Sequence, residues 1–134
     1  MKTNKMKIEH IAVYVEDIEL VREFYIRYFN LNCGDKYVNP RRNFTSYFLS
    51  FGEDKTRIEL MHIPDIASPA SKGGNLKGLA HIAISAGGKD KVNELTERLR
   101  KDGYTIASEP RTTGDGYYES AVLDPEENYI EITE

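Results

Sequence analysis

Ile8-Glu9-His10-Ile11-Ala12-Val13 recurs 71 positions later as Leu79-Ala80-His81-Ile82-Ala83-Ile84, with a shared His-Ile-Ala core. An internal echo at such a distance marks a duplicated supersecondary unit and governs how the rest of the chain is read. Each copy is followed by a helical pattern. Val21, Phe24, Tyr25 and Tyr28 recur in the first half, and Val92, Leu95 and Leu99 in the second, at the spacing of one helix face. Asp17 is placed to cap the first helix and Gly103 to end the second. Both halves close alike, on Arg57-Ile58-Glu59-Leu60 and Tyr129-Ile130-Glu131-Ile132. Glu59 follows His10 by 49 positions and Glu131 follows His81 by 50.

Each unit therefore reads as strand, helix, then three strands, giving an α+β chain of paired βαβββ modules. Phe44 to Phe51 and Glu119 to Leu123 are rich in aromatic or apolar residues, and each precedes a turn, Gly52-Glu53-Asp54 or Asp124-Pro125-Glu126-Glu127-Asn128. Lys36 to Asn39 and Tyr104 to Ser108 are expected as edge-like strands, ended by Pro40 and Pro110. The modules span 7–61 and 78–134, joined by a connecting segment 62–77 that carries Pro64, Pro69, Gly73 and Gly74. A unit of roughly 55 residues is small for a core of its own, so residues 1–134 are expected to work as a single domain.

Composition narrows the partners. Among 134 residues, 18 Lys and Arg against 22 Asp and Glu give a net charge of −4, which does not suit a broad nucleic-acid footprint. Apolar runs such as Ile11 to Val15 fall far short of the roughly 20 residues of a bilayer helix, and Met1 to His10 is lysine-rich without an apolar core. No membrane partner and a cytoplasmic location are the expectation. The single cysteine, Cys33, excludes an internal disulfide and a thiolate cluster, and it reads as a small hydrophobe or inert thiol.

Strand side chains alternate between faces, so each phase can be followed separately. His10 shares a phase with Ala12 and Tyr14, against Ile11, Val13 and Val15. His81 goes with Ala83 and Ser85, against Ile82 and Ile84. Glu59 goes with Arg57 and Met61, and Glu131 with Tyr129 and Thr133, each opposite an aliphatic pair. A lone strand His or Glu is ordinarily a solvated or hydrogen-bonded residue. Four of them in one phase of a duplicated unit are a different matter, because two gathered carboxylates repel unless a cation or proton lies between them. His10, Glu59, His81 and Glu131 are thus candidate ligands for one divalent metal, whose mixed nitrogen and oxygen set suits Ni, Co or Zn, with Mn also possible.

From about Lys7 onward the chain resembles the vicinal oxygen chelate (VOC) superfamily, which includes glyoxalase I, methylmalonyl-CoA epimerase, extradiol dioxygenases, and fosfomycin and bleomycin resistance proteins. The resemblance rests on His10-Ile11-Ala12-Val13 leading into Val15-Glu16-Asp17-Ile18, on Phe24-Tyr25, and on Asp124-Pro125 with Asn128, where Glu126-Glu127 replaces the family's glycine-bearing D-P-x-G-N turn. It implies curved sheets around a central metal cavity, with helices on the outer faces. The order His10, Glu59, His81, Glu131 is similar to that of bacterial glyoxalase I (lactoylglutathione lyase). It implies a metal-dependent lyase or isomerase acting on an α-oxoaldehyde thiol adduct, or a related small molecule with vicinal oxygens, through a metal-stabilised enediolate.

Glu131 is the first candidate for the catalytic base and Glu59 the second. Tyr14, Met61 and Tyr129 are candidate substrate-binding residues by their shared phase, and Arg57 and Arg42 by their charge. Glyoxalase I usually has an Arg four residues after its first ligand and an Asn four after its first Glu; here Tyr14 and Ile63 stand there. An epimerase acting on a CoA ester and a non-catalytic drug-binding resistance protein are the alternatives the resemblance leaves open. A homodimer is the assembly the family implies, with the modules pairing within a chain or across two.

Overall fold

The structure, a computed structural model, describes residues 6–53, 56–67 and 77–134. The chain divides into two compact units, Met1–Ala67 and Ser68–Glu134. Most of the expected connecting segment and the first five residues of the lysine-rich start lie outside the described residues, as does Asp54 of the first turn.

In the first unit, β1 (His10–Tyr14) leads to α1 (Ile18–Phe29), then β2 (Asn32–Cys33), β3 (Tyr37–Asn39), β4 (Phe44–Ser50) and β5 (Arg57–His62). The sheet order is β1-β5-β4-β2, with β3 also paired to β4. Asp17 caps α1 by accepting a hydrogen bond from the Leu20 amide at 3.0 Å, and the helix ends at Asn30 in the left-handed conformation. Val21, Phe24, Tyr25 and Tyr28 are all buried, together with Leu49, Ile58 and Leu60 of the sheet. Removing one such leucine side chain costs about 2–5 kcal/mol, so this apolar layer holds the helix to the sheet and fixes which strand phase remains for chemistry.

The second unit runs β6 (Ile82–Ser85), α2 (Lys89–Lys101), β7 (Ile106–Thr112), β8 (Tyr118–Leu123) and β9 (Tyr129–Thr133), with sheet order β6-β9-β8-β7. Gly103, at φ 93°, takes the turn beyond α2 that a side chain would resist. Val92 and Leu99 are buried as expected, but Leu95 is only half-buried and Thr96 is fully buried in its place. The Thr96 hydroxyl donates to the Val92 carbonyl at 2.6 Å, which leaves its oxygen to accept from Ser120 at 2.7 Å. A satisfied hydroxyl pair costs little to bury.

The structure departs from the sequence reading at several points: β6 begins at Ile82, so His81 stands just before it, and β7 begins at Ile106, two residues after Tyr104. β7 does not stop at Pro110 but runs on to Thr112. It is an edge strand with register shifts between Ile106 and Ser108 and between Ser108 and Arg111, so the missing proline N–H falls where no ladder bond requires it. β2 was not expected, being only two residues long. β5 continues through His62, the first residue assigned to the connecting segment. The His62 Nδ1 lies 2.9 Å from the Val15 carbonyl, on the phase of Ile58 and Leu60, so this third histidine is engaged in the fold.

Candidate functional site

In both units the first and last strands are parallel neighbours, β1 with β5 and β6 with β9. Glu59 stands opposite Ala12, and Glu131 opposite Ala83; in each case the histidine lies two residues before the alanine. The small residue leaves space through which a carboxylate and an imidazole meet on the diagonal. His10 Nε2 is 3.6 Å from Glu59 Oε1, and His81 Nε2 is 3.1 Å from Glu131 Oε1. Each sheet thus presents one His–Glu pair on its non-core phase, built by the same offset.

The 3.1 Å separation falls within the range for shared coordination, and the 3.6 Å one lies just above it. Two donors each about 2.1 Å from a metal are about 3.0 Å apart at a right angle and about 3.4 Å apart at the tetrahedral angle. Each unit brings two of the four candidate ligands together, and among the described residues no three His, Cys, Asp or Glu side chains are gathered to hold a metal ion.

The surroundings of the two pairs differ. In the first unit, Arg57 Nε donates to Glu9 Oε1 at 2.8 Å, and a second guanidinium nitrogen of Arg57 also pairs with that oxygen. This hydrogen-bonded Arg57 holds the Glu9 carboxyl below its ordinary range. The same oxygen is 3.8 Å from His10 Nδ1. The Arg57 guanidinium also lies 3.9 Å from the Phe48 ring centre, and Phe48 meets His10 edge to face at 5.4 Å. In the second unit the Tyr129 ring lies 6.1 Å from that of His81.

Glu119 is the residue that the sequence reading missed. It stands opposite Thr133 in the β8–β9 ladder and shares the phase of Ala121, which stands opposite Glu131. Burial pushes the Glu119 carboxyl up, and its hydrogen bond with Glu131 and that group's charge push it further, against the opposing influence of Arg111. Alternation along Glu119 to Leu123 carries the signal: the glutamate falls opposite the phase of buried Ser120 and Val122. The Thr133 hydroxyl beside it is buried and, among the described residues, has no hydrogen-bond partner.

Of the other candidates, Tyr14 is half exposed opposite Met61, and Tyr129 stands opposite Leu123. Arg42 belongs to the turn between β3 and β4, where its guanidinium lies 5.6 Å from the Phe44 ring centre. Cys33, half-buried, accepts a hydrogen bond from Arg22 Nε at 3.3 Å.

The family described as the Glyoxalase/Bleomycin resistance protein/Dioxygenase superfamily matches residues 7–132. The chain belongs to this superfamily. The VOC chain is 27% identical over 114 residues to the mitochondrial methylmalonyl-CoA epimerase of Bos taurus, covering 83% of itself and 62% of that protein. Glyoxalase I from Zea mays superposes with a TM-score of 0.75 at 24% identity, over 95% of this chain and 44% of the maize chain. The trypanothione-dependent glyoxalase I of Leishmania major gives 0.73 at 23%, over 96% and 86%. The chain spans less than two thirds of the bovine epimerase and less than half of the maize enzyme. At these identities the two structures speak for the fold alone, and the fold is the VOC module: two mixed sheets, each with one helix. No described helix is long and apolar enough to cross a membrane.

Proposed function

We propose that this VOC protein is a metal-dependent lyase or isomerase of glyoxalase type, acting on an α-oxoaldehyde thiol adduct or a related small molecule with vicinal oxygens. The observation that carries the reading is the repeated His–Glu pair, set by one register offset in both units at 3.6 and 3.1 Å. His10, Glu59, His81 and Glu131 would together hold one divalent ion, Ni, Co or Zn, with Mn also accommodated. That requires the two modules to pair around a central cavity, within one domain or across a homodimer, with helices outward.

When bound, the metal supplies Lewis-acid stabilisation of the negative charge that develops on substrate oxygen as a neighbouring C–H bond breaks. The chain's own part is proton movement and enclosure. Glu131 takes the proton from carbon and returns it to the adjacent carbon, with Glu59 as the alternative base. Tyr14, Met61 and Tyr129 line the face beside the donors. Arg42 remains a candidate for an anionic substrate group, whereas Arg57 is engaged by Glu9. Tyr14 and Ile63 at the usual glutathione-binding positions favour a substrate carried by a different thiol.

The second reading is an epimerase of a CoA ester, favoured by the 27% identity to the bovine enzyme. Both abstract a proton next to a carbonyl, so turnover on methylglyoxal–thiol adducts and on methylmalonyl-CoA separates them. Turnover of the adducts alone is expected. Activity on neither, with no metal bound, would leave the non-catalytic drug-binding alternative.

A further inference from the structure

We infer that Glu9, held by Arg57, is the positioning residue for His10, fixing the imidazole so that Nε2 is presented beside Glu59. The inference rests on His10 being a metal donor, as proposed above. The His10 ring is bounded on three sides: Glu9 Oε1 at 3.8 Å from Nδ1, Glu59 Oε1 at 3.6 Å from Nε2, and the Phe48 ring edge-on at 5.4 Å. Arg57 ties two of these together, hydrogen-bonding Glu9 and lying 3.9 Å from the centre of Phe48. The Arg57 amide also donates to the Glu9 carbonyl at 3.0 Å, which anchors the backbone of Glu9 to β5.

A carboxylate beside Nδ1 favours the tautomer with its hydrogen there. That leaves the Nε2 lone pair free to coordinate. The second unit has an aromatic neighbour, Tyr129 at 6.1 Å from the His81 ring, but neither the carboxylate nor the guanidinium. Ala80 replaces Glu9, Tyr129 replaces Arg57, and Ala121 stands opposite Glu131 where Phe48 stands opposite Glu59. All three positions differ between the two units. His10 is therefore the charge-buttressed donor and His81 the plain one. Arg57, in turn, acts through Glu9 and not as a free charge for substrate.

Calorimetric titration of the full chain with zinc alone tests this, because at Arg57 a field effect and a positioning effect differ in sign. Glu9→Gln is expected to weaken zinc binding roughly 10- to 100-fold, and to do so equally in 0.5 M NaCl, where the influence of a distant exposed charge is screened. Arg57→Leu removes a positive charge, so a simple field effect would tighten zinc binding; positioning through Glu9 requires that it weaken. Unfolding curves of the metal-free variants check that each is folded. If Arg57→Leu is not, the salt series on Glu9→Gln decides alone. Wild-type affinity in Glu9→Gln, a loss that disappears in high salt, or tighter binding by Arg57→Leu overturns the inference and leaves the metal reading standing. Failure of the unaltered protein to bind zinc, nickel, cobalt or manganese overturns both.

Discussion

Ala83 lies directly across the β6–β9 ladder from Glu131, as Ala12 lies across the β1–β5 ladder from Glu59. This pairing is the structural meaning of the His-Ile-Ala repeat: the histidine carries the donor, the isoleucine faces the core phase, and the alanine leaves room for the glutamate. Ala83→Leu places a branched side chain between His81 and Glu131. Zinc affinity should fall at least about tenfold through lost donor geometry, with little change in unfolding temperature because Ala83 is exposed. Titration calorimetry and thermal melts check this; unaltered affinity would mean the alanine does not set the pair.

Glu127 adopts φ 68° in the Asp124–Asn128 turn, at the position where the superfamily's turn has glycine. The left-handed conformation costs a residue with a Cβ about 1–2 kcal/mol, while glycine's extra freedom in the unfolded chain returns about 0.5–1 kcal/mol. Glu127→Gly should therefore stabilise the protein by about 0.5–1 kcal/mol, or roughly 2–4 °C in Tm. Glu127→Ala keeps the Cβ and should give no such gain. A glycine variant that melts below the alanine variant would contradict this.

Glu19 ties α1 to β4 by accepting the Tyr47 hydroxyl at 2.9 Å, and it pairs with Lys36 at 3.0 Å. Burial pushes its carboxyl up, but the hydrogen bonds from Lys36 and Tyr47 outweigh that and hold it below the ordinary value. A depressed carboxyl stabilises the fold above the unfolded-state pKa, and that contribution is lost as pH falls through the folded-state value. Glu19→Gln should be less stable at pH 7 by under about 1 kcal/mol, since the pair is half exposed. The gap should narrow from about pH 4.5 downward. Urea unfolding at pH 7 and pH 3 measures it; a gap that widens in acid is the contrary result.

The duplicated His and Glu were legible in the sequence because alternation and a fixed separation place them without knowledge of strand order. That β1 neighbours β5 was not, since pairing between the ends of a unit is a tertiary fact, and so the role of Ala12 and Ala83 appears only in the ladder. Pro110 misled because the rule that ends a strand at proline fails on an unpaired edge. Thr96 escaped the apolar pattern because its partner, Ser120, is distant in sequence. Glu9 has no counterpart in the repeat, where Ala80 stands, so the duplication carried no signal for it, and the pairing of Arg57 with Glu9 is a tertiary fact.

The central claim is that the two His–Glu pairs serve one metal ion, and metal content across single variants tests it most directly. Elemental analysis and zinc titration of the unaltered protein should give one divalent ion per four-donor site. His10→Ala, with its substitution in the first unit, and Glu131→Gln, in the second, should each abolish that binding, and mixing the two variants should restore part of it only if the pairs meet across a dimer. Binding that survives undiminished in either variant, or no binding of nickel, cobalt, manganese or zinc by the unaltered protein, would contradict the account.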